Sequence, residues 1–169
     1  MENKATSAVV KDTTEREFVI TRIFDAPRAL VWKAWTEPER MKRWWGPKGF
    51  TSPFCKIDPR VGGVYLNSIR APDGKDYWST GVYREIIPME RIVCTDSFAD
   101  AKGDVVPAVY YGMSRDFPLE RLITVTFHEH EGMTRLTLKH TGIPVTDSEN
   151  AKTVWNGSFD KLAEYLAKE

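Results

Sequence analysis

Few residues of this chain are both capable of chemistry and placed where a fold would enclose them, and His140 is the first. The segments Leu119 to His130 and Met133 to Gly142 alternate apolar and polar residues and meet at Glu131-Gly132, so they read as a β-hairpin. A two-residue turn sets His128 opposite Arg135 and Ile123 opposite His140. One face then carries Ile123, Val125, Phe127, Leu136, Leu138 and His140. The other carries Thr124, Thr126, His128, His130, Arg135, Thr137 and Lys139, a solvent face. An imidazole drawn out of water can be tuned to exchange a proton near neutral pH, and a buried carboxyl can be raised toward the same range. His140 and Glu85 are therefore the catalytic candidates, against the plainer reading of His140 as a hydrogen-bonded structural group. Neither lies in a catalytic motif: there is no GxSxG, HExxH, phosphate loop or dinucleotide fingerprint. His128 and His130 have a spacing a metal could use, but with a solvated face and no third ligand no metal site and no cofactor are expected.

A second group of residues suits binding. Tyr65, Asn67 and Ile69 share one face of a strand, and Tyr83 and Glu85 one face of the next. With Trp155 and Phe159 opposite, they would surround a small molecule with aromatic walls and a few polar groups. The same residues also suit a filled core whose tyrosine hydroxyls bond to backbone. In MKRWWGPKGF, residues 41 to 50, two adjacent indoles cannot share one face. Trp44 is expected to pack with Trp32 and Trp35. Trp45, beside the Gly46-Pro47 stop, points either to a cavity entrance or under the following strand. Lys42, Arg43 and Lys48 are the solvated side, their stems covering indole surface.

The elements that position these groups follow from pattern and punctuation. Glu17 to Phe24 reads as a strand, and Asp25-Ala-Pro27 leads into a short helix with Pro27 at its first position. Thr36 is expected to cap a second short helix running through Trp44. Phe50 to Asp58, Val64 to Ala71, Asp76 to Ile87 and Arg91 to Phe98 read as a meander broken at proline and glycine turns. Residues 99–118 lack a period, and a connection that long is usually functional. It is the lid candidate, with Tyr110, Tyr111 and Met113. Its patch Val105 to Tyr111 supports either a homodimer or a cover over a cavity. From about Glu149 to Lys168, Ala151, Trp155, Phe159, Leu162 and Leu166 form one apolar stripe of a long helix, capped by Asp147 or Ser148.

Residues 1–14 read as a flexible lead and 15–169 as one domain. Lysine plus arginine and aspartate plus glutamate both number 24, so no positive field exists to hold nucleic acid. No long apolar run and no signal segment are found, so membrane insertion is not expected and a cytoplasmic location is. Cys55 and Cys94 lack CxxC spacing and are expected as free thiols in strands.

Asp25-Ala-Pro27, Val31-Trp32, Thr36-Glu-Pro38, Trp44-Trp-Gly-Pro47, Gly62-Gly63, Pro72-Asp-Gly74, Gly81-Val-Tyr-Arg-Glu-Ile86, Pro88-Met-Glu-Arg91, Thr134-Arg-Leu-Thr137 and Trp155 before Leu162 together resemble the domain named after the activator of Hsp90 ATPase, of the START-like, Bet v 1-like superfamily. The resemblance spans about Glu15 to Lys168. It implies an α+β helix-grip fold, in which a curved antiparallel sheet of about seven strands wraps a long C-terminal helix, with two short helices after the first strand. It also implies an internal cavity for lipids, sterols, polyketides and other apolar or aromatic molecules. The family typically has Gly-Trp in the last helix where this chain has Val154-Trp155, and often has a shorter connection where this chain has residues 99–118.

Three functions follow as expectations: a binding protein for a small apolar or aromatic molecule, with Trp45, Tyr65, Asn67, Tyr83, His140, Trp155 and Phe159 as its site; an enzyme of the cyclase, hydrolase or dehydratase kind using His140, Glu85 or a tyrosine; and a co-chaperone stimulating Hsp90. Against the last stands the lack of room for the additional N-terminal domain of the eukaryotic activators. Fold does not choose among them.

Overall fold

The structure, a computed structural model, describes residues 16–169. The expected flexible lead at 1–14 lies outside the described residues. The chain runs β1 (Arg16–Phe24), α1 (Arg28–Thr36), α2 (Pro38–Met41), β2 (Thr51–Ile57), β3 (Val64–Arg70), β4 (Asp76–Ile87), β5 (Arg91–Ala99), β6 (Arg121–His130), β7 (Met133–Ile143) and α3 (Ser148–Ala167), with 3-10 turns at Ala108–Tyr111 and Val145–Asp147. The strands form one sheet in the order β1-β7-β6-β5-β4-β3-β2, each pair antiparallel. Seven antiparallel strands, a 20-residue final helix and two short helices after β1 are the helix-grip architecture the sequence implies.

The β6-β7 hairpin has the expected register, with His128 opposite Arg135 and Ile123 opposite His140. Its turn holds because Glu131 and Gly132 both take positive φ, 54° and 82°, the left-handed pair whose twist matches that of the strands. Along α3 the apolar spacing buries Trp155, Phe159, Leu162 and Leu166 against the concave face of the sheet, beside Val125, Phe127, Leu136 and Leu138.

Two local expectations are corrected. The second short helix ends at Met41, not Trp44, and residues beyond it continue as tight turns, Arg43 N–H to Arg40 O and Trp44 N–H to Met41 O. Thr36 closes α1 and does not cap α2: its hydroxyl donates to Trp32 O at 2.9 Å, and the cap position is Glu37. Pro38 explains the shift, because its ring drives the preceding residue extended, and Glu37 has φ −106° and ψ 120°. At the start of α3, Asp147 holds the cap position without a side-chain bond to the helix.

Trp44 is wholly enclosed, its ring 4.9 Å from that of Trp35, and its N–H donates to Ala34 O at 3.0 Å. Trp32, expected beside it, packs on Phe127 at 5.2 Å instead, since one residue after the buried Val31 it sits at the edge of the inward face of α1. The chain from Trp45 to Phe50 is fastened to α3. Lys161 Nζ donates to the carbonyls of Trp45, Pro47 and Phe50 at 3.4, 3.2 and 3.0 Å, and Ser158 Oγ to Gly46 O at 2.8 Å. Burial pulls the Lys161 ammonium below its usual range, a penalty these carbonyls offset. Lys161→Met takes one donor from each of the three carbonyls, Pro47 O keeping that of Phe50 N–H, and a loss of about 1–3 kcal/mol is expected. Thermal unfolding checks it, as a fall in Tm of roughly 2–12 °C for a chain of this size.

Cys55 and Cys94 are free thiols in β2 and β5. Burial pushes the Cys55 thiol up to about 12 and raises that of Cys94 as well, so neither serves as a thiolate nucleophile near neutral pH.

Candidate functional site

The alternation that turns His140 inward on β7 carries across the sheet. Ile123 of β6 lies opposite His140, Cys94 of β5 opposite Ile123, and two residues along, Asp96 opposite Arg121. Three strands thus bring Asp96, Arg121 and His140 to one concave patch, and α3 lays Trp155 over it.

The hydrogen bonds define protonation. The Trp155 indole N–H donates to His140 Nδ1 at 3.1 Å. An indole nitrogen can only donate, so Nδ1 is the acceptor and the ring proton sits on Nε2, which donates to Asp96 Oδ2 at 3.1 Å. The same oxygen accepts from Arg121 Nε at 3.3 Å and lies 3.2 Å from Nη2 as an ion pair, and Arg121 Nη1 donates to Pro118 O at 3.2 Å. Tyr65 donates to Thr95 O at 3.0 Å, with Asp96 Oδ1 3.4 Å away. The guanidinium carbon of Arg121 lies 4.4 Å from the centre of the Phe98 ring and 5.4 Å from that of Phe117. Arg121 and Asp96 are thus a buried ion pair, their side chains 3% and 15% exposed.

Burial works to raise the Asp96 carboxyl, but the Arg121 charge and the His140 hydrogen bond outweigh it and hold the group well below the usual carboxylate range. A carboxyl depressed on folding contributes stability above its unfolded value, and that contribution disappears as pH falls toward the folded one. Unfolding free energy is expected to drop as pH is lowered from ~4, the ordinary aspartate value, toward ~2. Urea midpoints across that range check it, and the slope should flatten in Asp96→Asn.

Two adjoining clefts lie between the sheet and the N-terminal part of α3. One, of about 150 Å³, is lined by Trp45, Gly46, Pro47, Ile69 and Tyr77 among others. The other, of about 180 Å³, holds Asp96, Arg121 and His140 with Met113, Phe117 and Asn150. Ser79, Phe98, Val154 and Trp155 line both, so the Trp155 indole, pinned by its bond to His140, stands between them. A third, interior space of about 30 Å³ is bounded by Trp35, Trp45, Tyr65, Asn67 and Tyr83. It has room for about one water.

The sequence-predicted residues therefore separate. Trp155 stands at both adjoining clefts and His140 at the second, and Trp45 lies between the first cleft and the interior space, lining both. Tyr65, Asn67 and Tyr83 line only the interior space, with the Tyr65 hydroxyl committed to Thr95 and Asn67 Oδ1 accepting from Ser79 Oγ at 2.7 Å. Phe159 is wholly buried and borders none of the three. Glu85 is not brought to His140. A β-bulge shifts the pairing from Tyr83 opposite Cys94 to Glu85 opposite Val93, which breaks the face Tyr83 and Glu85 were expected to share. Glu85 instead accepts from Arg91 Nε at 2.9 Å.

Of the lid candidates, Met113 reaches the second cleft. Tyr111 is a strut, donating to Ala99 O, accepting from Trp78 N–H at 3.0 Å and packing on Tyr77 at 5.2 Å. Tyr110 is exposed.

Asp96 and Arg121 are not among the residues the sequence singles out, although it carries a signal for them. Asp96 stands two residues from Cys94 and Arg121 two from Ile123, so inward alternation on either strand brings them to the face of His140. Among the described residues no cluster of His, Cys, Asp and Glu forms a metal site, and no helix is long and apolar enough to cross a membrane.

Residues 25–167 match the family model described as Activator of Hsp90 ATPase homolog 1-like protein. A crystal structure of a Chromobacterium violaceum protein is similar with a TM-score of 0.72 at 29% identity, covering 89% of this chain and 96% of that one. A solution structure of an Arthrobacter aurescens protein is similar with a TM-score of 0.75 at 24% identity, covering 90% and 87%. The protein described as AHSA1 from Silicibacter pomeroyi is similar with a TM-score of 0.72 at 20% identity, covering 90% and 98%. No curated protein matches the sequence. With sheet, short helices and final helix arranged as described and the match running over residues 25–167, the chain belongs to the Activator of Hsp90 ATPase homolog 1-like protein family.

Proposed function

We propose that this protein binds a small apolar or aromatic molecule between the sheet and α3. The observation that carries the reading is the pair of clefts, about 150 and 180 Å³, sharing Ser79, Phe98, Val154 and Trp155 as a common wall, one of them ending on a buried polar patch. Mostly apolar walls with a few placed polar groups are the usual composition of a small-molecule site. Trp45 and Met113, at the margins of the clefts, are the residues whose movement would admit a ligand.

Binding is favoured over catalysis by the state of His140. Both ring nitrogens are engaged within the protein, one by Trp155 and one by Asp96, and Glu85 is tied to Arg91. Proton transfer at a substrate would require the indole to release Nδ1 first. Stimulation of the Hsp90 ATPase, which the family name suggests, is the reading left if the clefts take no small molecule.

The test is native mass spectrometry of freshly purified protein, followed by NMR titration with naphthalene and ethylbenzene. Saturable one-to-one binding that shifts the indole N–H signals of Trp45 and Trp155 supports the reading. A protein that carries nothing and shows no saturable shift with either probe overturns it.

A further inference from the structure

The Arg121 guanidinium is more than the partner of Asp96. It carries five N–H donors. Nε serves Asp96 Oδ2 and one hydrogen on Nη1 serves Pro118 O, while Nη2 lies 3.2 Å from Asp96 Oδ2 as an ion pair without donating to it, which leaves one hydrogen on Nη1 and those on Nη2 without an acceptor. Buried polar groups are ordinarily hydrogen-bonded, and this side chain is 3% exposed. Phe98 and Phe117 lie within cation-π distance, so the spare hydrogens are approached from the guanidinium edge and not through an open face. Arg121 itself lines the 180 Å³ cleft.

The charges in that cleft select the acceptor. Asp96 already balances Arg121, and Asp147 adds a further carboxyl. A carboxylate entering the cleft would meet a net negative lining, whereas an uncharged oxygen acceptor would not. Size selects the ring. Benzene fills an engineered apolar cavity of about 150 Å³ in another protein, so this cleft admits one substituted ring.

We propose that the 180 Å³ cleft is a subsite for an uncharged aromatic ring bearing a carbonyl, whose oxygen accepts from spare N–H bonds on Nη1 and Nη2 of Arg121 while the ring lies against Phe98, Val154 and Trp155. This rests on the binding function proposed above and names the chemistry of one part of it.

The full chain is titrated with acetophenone, ethylbenzene and benzoate by calorimetry and by NMR of the arginine side-chain N–H groups. Acetophenone is expected to bind roughly tenfold more tightly than ethylbenzene, the size of effect a hydrogen bond to a charged donor gives, and more tightly than benzoate. The Arg121 Nη–H signals should move with acetophenone and stay in place with ethylbenzene. In Arg121→Lys, which keeps a positive charge beside Asp96 but loses the planar fork, the preference for acetophenone over ethylbenzene should shrink to about twofold or less. Equal affinity for acetophenone and ethylbenzene, or tightest binding by benzoate, overturns the subsite and leaves the wider binding function standing. So does a preference that survives in Arg121→Lys, or Arg121 signals that do not respond. Failure of all three probes overturns both. The wild-type comparison and its NMR readout decide the matter even if the variant does not fold.

Discussion

Asp96→Asn is expected to destabilise the protein by about 3–5 kcal/mol, more than the loss expected from Lys161→Met. The reason is what it leaves behind. Arg121, 3% exposed, would keep its charge without the carboxylate that accepts from its Nε and pairs with Nη2, and water has little access to replace it. An amide oxygen in the same place can still accept one hydrogen bond, but it carries no charge to offset the desolvated guanidinium. A fall in Tm of roughly 6–20 °C is expected in a thermal scan. The double variant Asp96→Leu with Arg121→Met should recover most of the loss, because removing both charges removes the uncompensated one. If the single variant loses under about 1 kcal/mol, the pair is solvated in a way that 15% exposure of the Asp96 side chain does not suggest. The same substitution bears on the subsite, since Arg121 can present its spare donors only while Asp96 holds it in place.

Trp44→Ala is the second large effect, about 3–5 kcal/mol, and Trp45→Ala should fall well short of it. The two tryptophans are neighbours in sequence but differ in surroundings. Trp44 is wholly enclosed and bonded to Ala34 O, whereas Trp45 is half-buried, its ring 5.4 Å from that of Trp155 and exposed to both the 150 Å³ cleft and the small interior space. Truncating the first leaves a cavity and an orphaned carbonyl. Truncating the second joins two spaces that already exist. Urea unfolding of the two variants in parallel checks the contrast, and Trp44→Phe separates its parts by keeping a ring while deleting the N–H. Trp45→Ala should also change naphthalene affinity while Trp44→Phe leaves it alone, since only Trp45 borders a cleft.

The architecture was legible where a periodic pattern runs unbroken. Strand alternation from Leu122 to His140 depends on geometry within one hairpin, and a turn of Glu131 and Gly132 at positive φ admits a single register. That is why the inward position of His140 follows from spacing alone. The α3 stripe is local in the same sense, because 3.6 residues per turn decide which side chains stack on one face. Glu85 failed on the same rule. One extra residue in the β4 ladder reverses the alternation, and nothing in Gly-Val-Tyr-Arg-Glu-Ile announces a bulge.

By itself the sequence determined the strands, the single inward histidine and the amphipathic final helix, since each depends on spacing along a continuous stretch of chain. Only the tertiary structure decided that Asp96 faces Arg121, because residues 100–120 separate β5 from β6 and no short turn dictates the register between them. It alone decided that Trp155 caps His140, that Trp45 rather than Trp44 borders the clefts, and that Tyr111 is a strut, for these depend on how α3 and the long connection settle on the sheet. The spare donors of Arg121 belong with them: a hydrogen bond left unmade can be counted only after every neighbour is in place.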